Sequence, residues 1–360
     1  MVESLEKDRG LAGHGPSEAT APWAEPAAVS SRLAGSSAPS AARMLVIVGP
    51  TAAGKSALAI ELARRFDGEV INYDSVQVYR GFDVGSGKVS PAERQGISHH
   101  LLDVVEAGQV FTAGDYRREA IATLGLLGTC GKLPVLVGGT GLYLRALLQG
   151  LFEGPRRSEE LRSRLRGLVN RRGRAFLHRM LRRLDPASAE RIHPNDTQKV
   201  LRAVEVCLVA REPLSRLLVR DRSAHMGHTG LQGFRIIKVG LDPDRAELYR
   251  RINTRVERMF AQGLVDEARA ALARATSEGT AAESRGIKPL GALGYREAYA
   301  FLRGEITMET AVLETQTATR RYAKRQMTWF RHEAGVTWFR GFGDDPEVQR
   351  QIIDWLRREE

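Results

Sequence analysis

The stretch that decides the fold of this 360-residue chain is Leu45-Val-Ile-Val48, followed directly by Gly49-Pro-Thr-Ala-Ala-Gly-Lys-Ser56. Four consecutive apolar residues are typical of a strand that is buried on both faces of a parallel sheet. The next eight residues match the pattern G-x-x-x-x-G-K-S/T, and a helical pattern follows over residues 57–66. We therefore predict a strand, a phosphate-binding loop and a helix, in that order.

The predicted phosphate loop, residues 49–56, has the chemistry of an anion site. Glycines let several backbone N–H groups converge on one anion, and the following helix directs its positive end towards it. Lys55 adds a charge and Ser56 a hydroxyl that can bind Mg²⁺. The pattern indicates phosphate or diphosphate and names neither ATP nor a reaction; the alternative is a chance match in an ordinary strand–helix turn. The predicted ligands of the anion are Gly49, Pro50, Thr51, Ala52, Ala53, Gly54, Lys55 and Ser56.

Short apolar runs alternate with helical patterns beyond the loop. Further strands are predicted at residues 69–72, 134–137 and 234–239, and a helix at residues 115–127. This alternation predicts an α/β fold with a parallel sheet flanked by helices, of the P-loop NTPase-like kind. After residue 239 only helices are predicted.

Composition divides the chain into four segments. Residues 1–43 are rich in Ala, Ser, Gly and Pro and are predicted to be a disordered tail without a secretory signal. Because Met44 opens the predicted strand, an upstream start-codon artefact is the alternative explanation of this tail. Residues 44–151 are predicted to be the first part of the core, 152–232 a helical insertion with a loop at 221–233, and 233–360 the rest of the core with C-terminal helices.

The charge of the chain is +11, from 54 Lys and Arg against 43 Asp and Glu. Residues 156–183 contain eleven Arg and two Glu, which indicates a polyanionic partner, although a solvated helix face has the same pattern. Two cysteines are too few for a disulfide framework, and no apolar run is long enough for a transmembrane helix. We expect a cytoplasmic protein. A second basic cluster comprises Arg320, Arg321, Lys324, Arg325 and Arg331.

Polar residues follow the predicted strands. Ligands of parallel sheets collect beyond the carboxyl ends of the strands, so Asp74 is expected across a cleft from the phosphate loop. Its carboxylate can accept a proton from a nucleophile, or it can simply cap the turn. Asp103 is a candidate for binding Mg²⁺ or water, whereas His99 and His100 are predicted to be structural. Near residues 138–143, glycines permit close approach of a ligand and Thr140 can donate a hydrogen bond.

Taken together, these motifs resemble the tRNA dimethylallyltransferases, also called tRNA isopentenyltransferases, of the bacterial type. The resemblance runs from residue 44 to about residue 339. It is carried by the phosphate loop and by residues 74–80, 83–88, 100–103, 137–143, 191–196, 294–297 and 322–331.

The resemblance implies transfer of a dimethylallyl group from dimethylallyl diphosphate to N6 of adenine 37, next to the anticodon, in tRNAs that read codons starting with U. It implies that the phosphate loop and Mg²⁺ at Ser56 hold the diphosphate. Asp74 would deprotonate or orient the adenine amine, Thr51 would bond the bridging oxygen, and Arg255 would lie near the diphosphate. The implied contacts with the tRNA anticodon stem-loop are Asp74, Ser75, Val76, Gln77, Thr140, Arg162, Gln198, Lys199, Gly294, Tyr295, Arg296, Lys324 and Arg325.

Three other functions fit part of the pattern. A small-molecule kinase or NTPase shares the loop and the sheet but leaves the two basic segments unexplained. A non-catalytic RNA-binding protein does not need Asp74, Thr51, Lys55 and Ser56 together. A prenyltransferase acting on free adenine nucleotides does not need the basic insertion. If the chain modifies tRNA, we expect it to be a monomer, because the tRNA partner is itself large.

Overall fold

The computed structural model describes residues 42–359 apart from 153, 156, 226–230, 232 and 278–286. Of the predicted tail, residues 1–41 lie outside the described residues. Ala42 and Arg43 belong to the first strand, so the predicted start at Met44 is two residues late. Their backbones pair in parallel with Phe234 and Arg235, and this pairing does not require apolar side chains.

One six-stranded sheet forms the core, in the order β3-β2-β4-β1-β5-β6, and every neighbouring pair of strands is parallel. The predicted α/β fold with a parallel sheet is thus confirmed. The strands are β1 (Ala42–Val48), β2 (Gly68–Asn72), β3 (His99–His100), β4 (Leu133–Val137), β5 (Phe234–Asp242) and β6 (Val336–Arg340).

Thirteen helices are described, in addition to a 3₁₀ turn at Lys288–Gly291. They are α1 (Lys55–Arg65), α2 (Ala113–Thr129), α3 (Gly141–Gln149), α4 (Glu159–Arg172), α5 (Arg174–Leu184), α6 (Pro186–Arg191), α7 (Thr197–Ala210), α8 (Leu214–His225), α9 (Arg245–Ala261), α10 (Leu264–Ser277), α11 (Tyr295–Leu302), α12 (Met308–Arg331) and α13 (Pro346–Arg358). None of the helices in the described ranges combines the length and the apolar content needed to cross a membrane.

The central strand β1 is buried on both faces, as its run of apolar residues predicts. Met44, Val46 and Val48 belong to the hydrophobic cluster on one face of the sheet, together with side chains of α2 and α3. Leu45 and Ile47 belong to the cluster on the other face, together with side chains of α1 and α13. Alternation along the strand therefore supplies both layers of the core.

The structure corrects two local predictions. The prediction of only helices after residue 239 is wrong, because β6 extends the sheet next to β5. The adjacent His99 and His100, predicted to be structural, form a two-residue strand beside β2. The loop predicted to begin at residue 221 begins later, because α8 continues to His225.

Helices α4 to α8 lie between α3 and β5 along the chain, within the predicted insertion. Leucine and valine side chains of α4, α5 and α7, among them Leu165, Leu177, Leu181 and Val204, form a separate hydrophobic cluster. The chain then returns as β5, which pairs with β1 along the whole length of β1. The carboxyl ends of β1, β2, β4 and β5 consequently lie at one edge of the sheet.

Candidate active site

A cavity of about 1210 Å³ opens at this edge of the sheet. Segments that are far apart in sequence line it: the phosphate loop after β1, Asp74 and Gln77 after β2, Gly138 and Gly139 after β4, and side chains of α9 and α12. The structure thus places Asp74 and the phosphate loop around one cavity, as the positions of the strand ends predict.

The phosphate loop presents only part of its length to this cavity. Thr51, Ala52, Gly54, Lys55 and Ser56 line it, whereas the other three predicted ligands do not. Those three residues make contacts that hold the loop in its conformation. Gly49 passes close to Leu241 of β5, the Pro50 carbonyl accepts a hydrogen bond from Lys55 Nζ at 2.7 Å, and Ala53 is fully buried.

Two buried cations of the cavity, Lys55 and Arg255, and the Asp74 carboxylate affect one another's ionisation. Burial, followed by repulsion from Arg255, lowers the pKa of Lys55 to about 7, although the Asp74 carboxylate opposes this shift. Burial also lowers the pKa of Arg255, again against the effect of Asp74. Positive charge held away from water in this way is stabilised when an anion binds.

Asp74 both caps its turn and keeps one oxygen available. Its Oδ1 accepts a hydrogen bond from the Val76 N–H at 2.9 Å, and its own N–H donates to Asn72 Oδ1 at 3.0 Å. Its Oδ2 accepts no hydrogen bond from the part of the chain that is described. A β-carbon on Gly139 would lie 2.9 Å from this oxygen, so the glycine leaves the space beside it open. The two interpretations of Asp74 offered by the sequence are compatible.

The predicted RNA contacts Ser75 and Thr140 hold each other in place next to Asp74. Thr140 Oγ1 accepts a hydrogen bond from the Ser75 N–H at 2.9 Å and donates to Ser75 Oγ at 3.1 Å. Gln77 Nε2 donates to the Ser86 carbonyl at 3.2 Å, which ties this segment to residues 83–88. Of the four predicted contacts over residues 74–77, Asp74 and Gln77 line the cavity and Ser75 and Val76 do not.

Gln326 of α12 is a site residue for which no role was predicted from the sequence. Its Oε1 accepts a hydrogen bond from the Thr51 N–H at 2.8 Å, and its Nε2 donates to the Gly139 carbonyl at 2.9 Å. Tyr322, one turn earlier, donates to the same carbonyl at 2.8 Å. The available signal was the spacing of four residues, which places both side chains on one face of α12.

Helix α9 supplies a longer basic wall than the sequence predicted. Arg255 lines the cavity as predicted, and Arg258 and Gln262 follow it on the same helix face. The Arg255 guanidinium lies against the backbone of Gly87, where any β-carbon would collide with it. The spacing of three between Arg255 and Arg258 was the signal for the second arginine.

Asp103 is occupied by an ion pair, so the structure does not offer it freely to Mg²⁺. Its Oδ1 lies 2.6 Å from Lys88 Nζ, and the Lys88 side chain is only 3% exposed. Lys88 also contacts Asp83 at 2.5 Å. Within the described residues, no cluster of three or more His, Cys, Asp or Glu can hold a metal ion.

The residues that are present still fit Mg²⁺ brought in with a diphosphate. Mg²⁺ is held through one or two protein oxygens, waters and substrate phosphates rather than by a complete protein cage. Ser56, in the first turn of α1, places its side chain at the wall of the cavity beside Lys55. The metal would therefore be bound by the Ser56 hydroxyl together with oxygens of the diphosphate.

The predicted RNA contacts outside the cavity divide by exposure. Gln198, Lys199, Arg296, Lys324 and Arg325 are exposed. By contrast, the Arg162 side chain is 11% exposed and its guanidinium binds the fully buried Glu205 through Nε and Nη2 at 3.0–3.1 Å. Gly294 and Tyr295 are also buried, and the Tyr295 hydroxyl donates to Glu267 at 2.7 Å. All three residues are therefore held by packing within the protein, and their contact with RNA stays a prediction.

The basic face of α12 is narrower than its sequence predicted. Arg320 Nη1 donates to Asn253 of α9 at 2.5 Å, and Arg331 Nη2 donates to Asp242 at 3.2 Å. Phe330 is fully buried. Trp329 is half-buried with Arg145 lying over its ring, 4.1 Å from the centroid. The positive charges left on the outer face of α12 are Arg321, Lys324 and Arg325.

Curated relatives match most of the chain. The tRNA dimethylallyltransferase of Koribacter versatilis (strain Ellin345) is 50% identical over 314 residues, which are 87% of this chain and 98% of that protein. The tRNA dimethylallyltransferase of Solibacter usitatus (strain Ellin6076) is 48% identical over 311 residues, 86% of this chain and 97% of that protein.

Solved structures share the architecture. The full-length tRNA isopentenylpyrophosphate transferase from Bacillus halodurans superposes with a TM-score of 0.61 at 36% identity, covering 88% of this chain and 95% of that chain. A eukaryotic dimethylallyltransferase acting on tRNA has a TM-score of 0.71 at 24% identity, covers 88% and 80%, and shares the fold. A profile described as IPP transferase matches residues 77–333. Because that match covers more than half of the chain and the curated relatives align almost end to end, the chain belongs to the IPP transferase family.

Proposed function

We propose that this chain transfers a dimethylallyl group from dimethylallyl diphosphate to N6 of adenine 37 in tRNAs that read codons starting with U, giving N6-(dimethylallyl)adenosine. The observation that carries the proposal is one cavity that combines a phosphate loop, two buried cations and the open Oδ2 of Asp74. The names of the relatives, which are prenyltransferases acting on tRNA, support it.

The phosphate loop and Arg255 would hold the diphosphate of the donor. As the C1–O bond of the prenyl group breaks, its electron pair moves to the diphosphate, and the added charge develops beside Lys55, Thr51 and the loop N–H groups. Stabilising a leaving group with donors that are already oriented lowers the barrier without reorganisation. Mg²⁺ bound at Ser56 would supply further neutralisation of the diphosphate charge.

Asp74 would act on the nucleophile. The lone pair of the adenine N6 forms the new bond to C1, and the proton that N6 loses passes to Asp74 Oδ2. Gly139 keeps the space beside Asp74 Oδ2 open, so a base turned out of its loop could reach the carboxylate. Extruding a base costs only a few kcal/mol, and least where the nucleic acid is already single-stranded.

The exposed arginines of α4 and α5 and the outer face of α12 would bind the phosphates of the anticodon stem-loop. A basic face is not needed for a small-molecule substrate, so these surfaces favour tRNA over a free adenine nucleotide. We also propose that the chain acts as a monomer, because one chain supplies every residue assigned above, and that it is located in the cytoplasm.

A labelled-transfer assay tests the proposal. Wild-type protein is incubated with Mg²⁺, radiolabelled dimethylallyl diphosphate and unmodified tRNA, and Asp74→Asn is compared with it. An amide oxygen retains the cap to the Val76 N–H but cannot take the proton, so we expect kcat to fall on the order of 10²–10⁴-fold. Asp67→Asn, at an exposed carboxylate paired with Lys132, is the matched control and should keep full activity.

Other outcomes would identify a different function. Label entering free AMP in preference to tRNA would favour the nucleotide prenyltransferase. Hydrolysis of ATP without labelling of tRNA would favour the kinase or NTPase. Tight tRNA binding with no transfer under any condition would leave only a binding protein.

A further inference from the structure

The turn between β6 and α13, residues 341–345, packs directly against the phosphate loop; we name it the buttress turn. The Gly343 N–H donates to the Ala53 carbonyl at 2.8 Å. A β-carbon on Gly343 would lie 2.6 Å from the Gly54 carbonyl oxygen, and one on Gly54 would lie 2.6 Å from the Asp344 nitrogen. Two glycines therefore let the two backbones meet at a distance that no side chain permits.

The hydrogen bond to Ala53 fixes the direction of the next N–H. No described peptide bond is cis, and in a trans peptide the C=O and the N–H point in opposite directions. With the Ala53 carbonyl held towards Gly343, the Gly54 N–H is directed away from the buttress turn. Gly54 lines the cavity, so an N–H directed away from the turn is available to an anion bound there.

The buttress turn also holds the helix that carries Arg255. Both carboxylate oxygens of Asp344 accept hydrogen bonds from Arg251 Nη1 at 2.8 Å. The Arg251 guanidinium lies over the ring of Phe342, 3.7 Å from its centroid. Arg251 precedes Arg255 by one turn of α9, so fixing the first restricts the second. Phe342 packs in one cluster with Ala52, Leu248, Ile252 and Ala323, from the phosphate loop, α9 and α12.

We propose that the buttress turn is a positioning element of the diphosphate site, which orients the Gly54 N–H and sets the distance between the phosphate loop and Arg255. Gly343, Asp344 and Arg251 are then positioning residues for the transfer. The inference rests on the proposed function, because it takes the bound anion to be the diphosphate of the prenyl donor. The turn lies beyond residue 333, where the family profile ends.

Gly343→Ala in the full-length chain tests the backbone contact. Gly125→Ala in α2 is the matched control, because a β-carbon there would meet no atom within 4 Å. Binding of inorganic diphosphate with Mg²⁺ is measured by calorimetry and binding of tRNA by filter retention. Since a shift of about 1 Å can cost up to about 100-fold, we expect Gly343→Ala to weaken diphosphate binding about 10-fold or more. Its tRNA affinity and the control should stay within about 2-fold of wild type.

Asp344→Asn tests the link to Arg255 and does not depend on Gly343→Ala folding. The Asp344–Arg251 pair is partly exposed, so its loss should change the melting temperature little. We expect the KM for dimethylallyl diphosphate to rise about 5-fold, and to rise much less when Arg255→Gln is already present. The KM for tRNA should not change, which separates positioning from a general loss of structure.

Four results would overturn the inference. If both Gly343→Ala and Asp344→Asn bind diphosphate as tightly as the wild type, the buttress turn does not position the diphosphate site. The proposed function would be unaffected by that result. Equal losses of diphosphate and tRNA affinity mark general unfolding in place of positioning. Additive effects of Asp344→Asn and Arg255→Gln exclude action through Arg255. Failure of the wild type to label tRNA at all would refute the proposed function, and the inference with it.

Discussion

The surroundings of Lys55 in the cavity strongly lower its pKa. Its pKa of about 7 follows from burial first and from Arg255 second, and one carboxylate, Asp74, does not neutralise two cations. A diphosphate that enters the cavity would oppose both effects, because its negative charge attracts the Lys55 ammonium and compensates the charge of Arg255. The free protein therefore holds Lys55 partly neutral near pH 7, and the anion would bring its proton back.

Proton uptake on diphosphate binding is the first consequence. At about pH 8.5 a lysine with a pKa near 7 is almost wholly neutral, so binding should take up close to one proton. Calorimetry of inorganic diphosphate with Mg²⁺ in buffers of different ionisation enthalpy measures this number. Lys55→Met should abolish the uptake, and a wild-type value near zero would contradict the lowered pKa.

The lowered pKa of Lys55 also determines whether its contribution to folding stability rises or falls with pH. Because the pKa of Lys55 is lower in the folded protein than its ordinary value of 10.5, the unfolded chain binds more protons between about pH 7 and pH 10.5. The Lys55 contribution to stability therefore rises with pH across this window, and its penalty is fully present below it. Urea unfolding should show that Lys55→Met stabilises the protein more at about pH 6 than at about pH 10. The reverse order would show that the charge is stabilised in the folded state.

At the scale of elements, the sequence predicted what neighbouring residues decide by themselves. The strand at residues 45–48, the loop after it and helix α1 follow from local pattern and glycine spacing. The pairing of β6 with β5 and the contact of Gly343 with Ala53 arise between segments far apart in sequence. The five residues 336–340 carry no pattern that indicates pairing with β5. The sixth strand and the buttress turn after it could therefore not be predicted.

In the helices of the predicted insertion, too, long-range packing decides what the sequence could not predict. Arg162 was placed among the RNA contacts by resemblance to the family, and its type suits that role. The structure pairs it with Glu205, a fully buried carboxylate on α7 that also accepts from Arg202 at 2.9 Å. Burial depends on packing between α4 and α7, which the arginine-rich sequence does not disclose.

The main effect of Arg162→Met should therefore be a lower free energy of unfolding, and not a direct loss of tRNA affinity. Removing one partner of a buried ion pair leaves the other charge uncompensated, which costs about 3–5 kcal/mol in other proteins. Arg202 remains beside Glu205, so we expect a loss near the lower end of that range, about 3 kcal/mol. Hydrogen exchange should show α4 and α7 opening more readily. A loss of tRNA affinity with unchanged protection of both helices would restore Arg162 to the RNA surface.

Helix α12 has a different function on each face. Gln326 is buried against Thr51 and Gly139, whereas Lys324 and Arg325 are exposed. The double variant Lys324→Ala with Arg325→Ala should raise the KM for tRNA about 10-fold or more and leave the KM for the prenyl donor unchanged. Its tRNA affinity should also depend less on salt, with a slope smaller by about 2 on a log–log plot. Glu314→Ala on the same helix is the control, and equal effects on both KM values would contradict the assignment.

At the scale of the whole molecule, the positive charge is distributed over elements that are remote in sequence. Residues 156–183 alone carry most of the excess of +11, and α12 adds a second basic face. The cavity lies at the edge of the sheet where β1, β2, β4 and β5 end, and α12 lines it through Tyr322 and Gln326. Only the fold brings an anion pocket and RNA-binding charge into one protein.

The order of the strands in the sheet has a consequence for synthesis on the ribosome. The first strand needs β5 as a neighbour, and the glycine turn that supports its loop follows the sixth strand. A nascent chain halted within α12 would already contain Gly49 to Ser56 in full, yet would lack the support that shapes them. The earliest motif to be translated is thus among the last to mature, so prematurely terminated products should not compete for the prenyl donor.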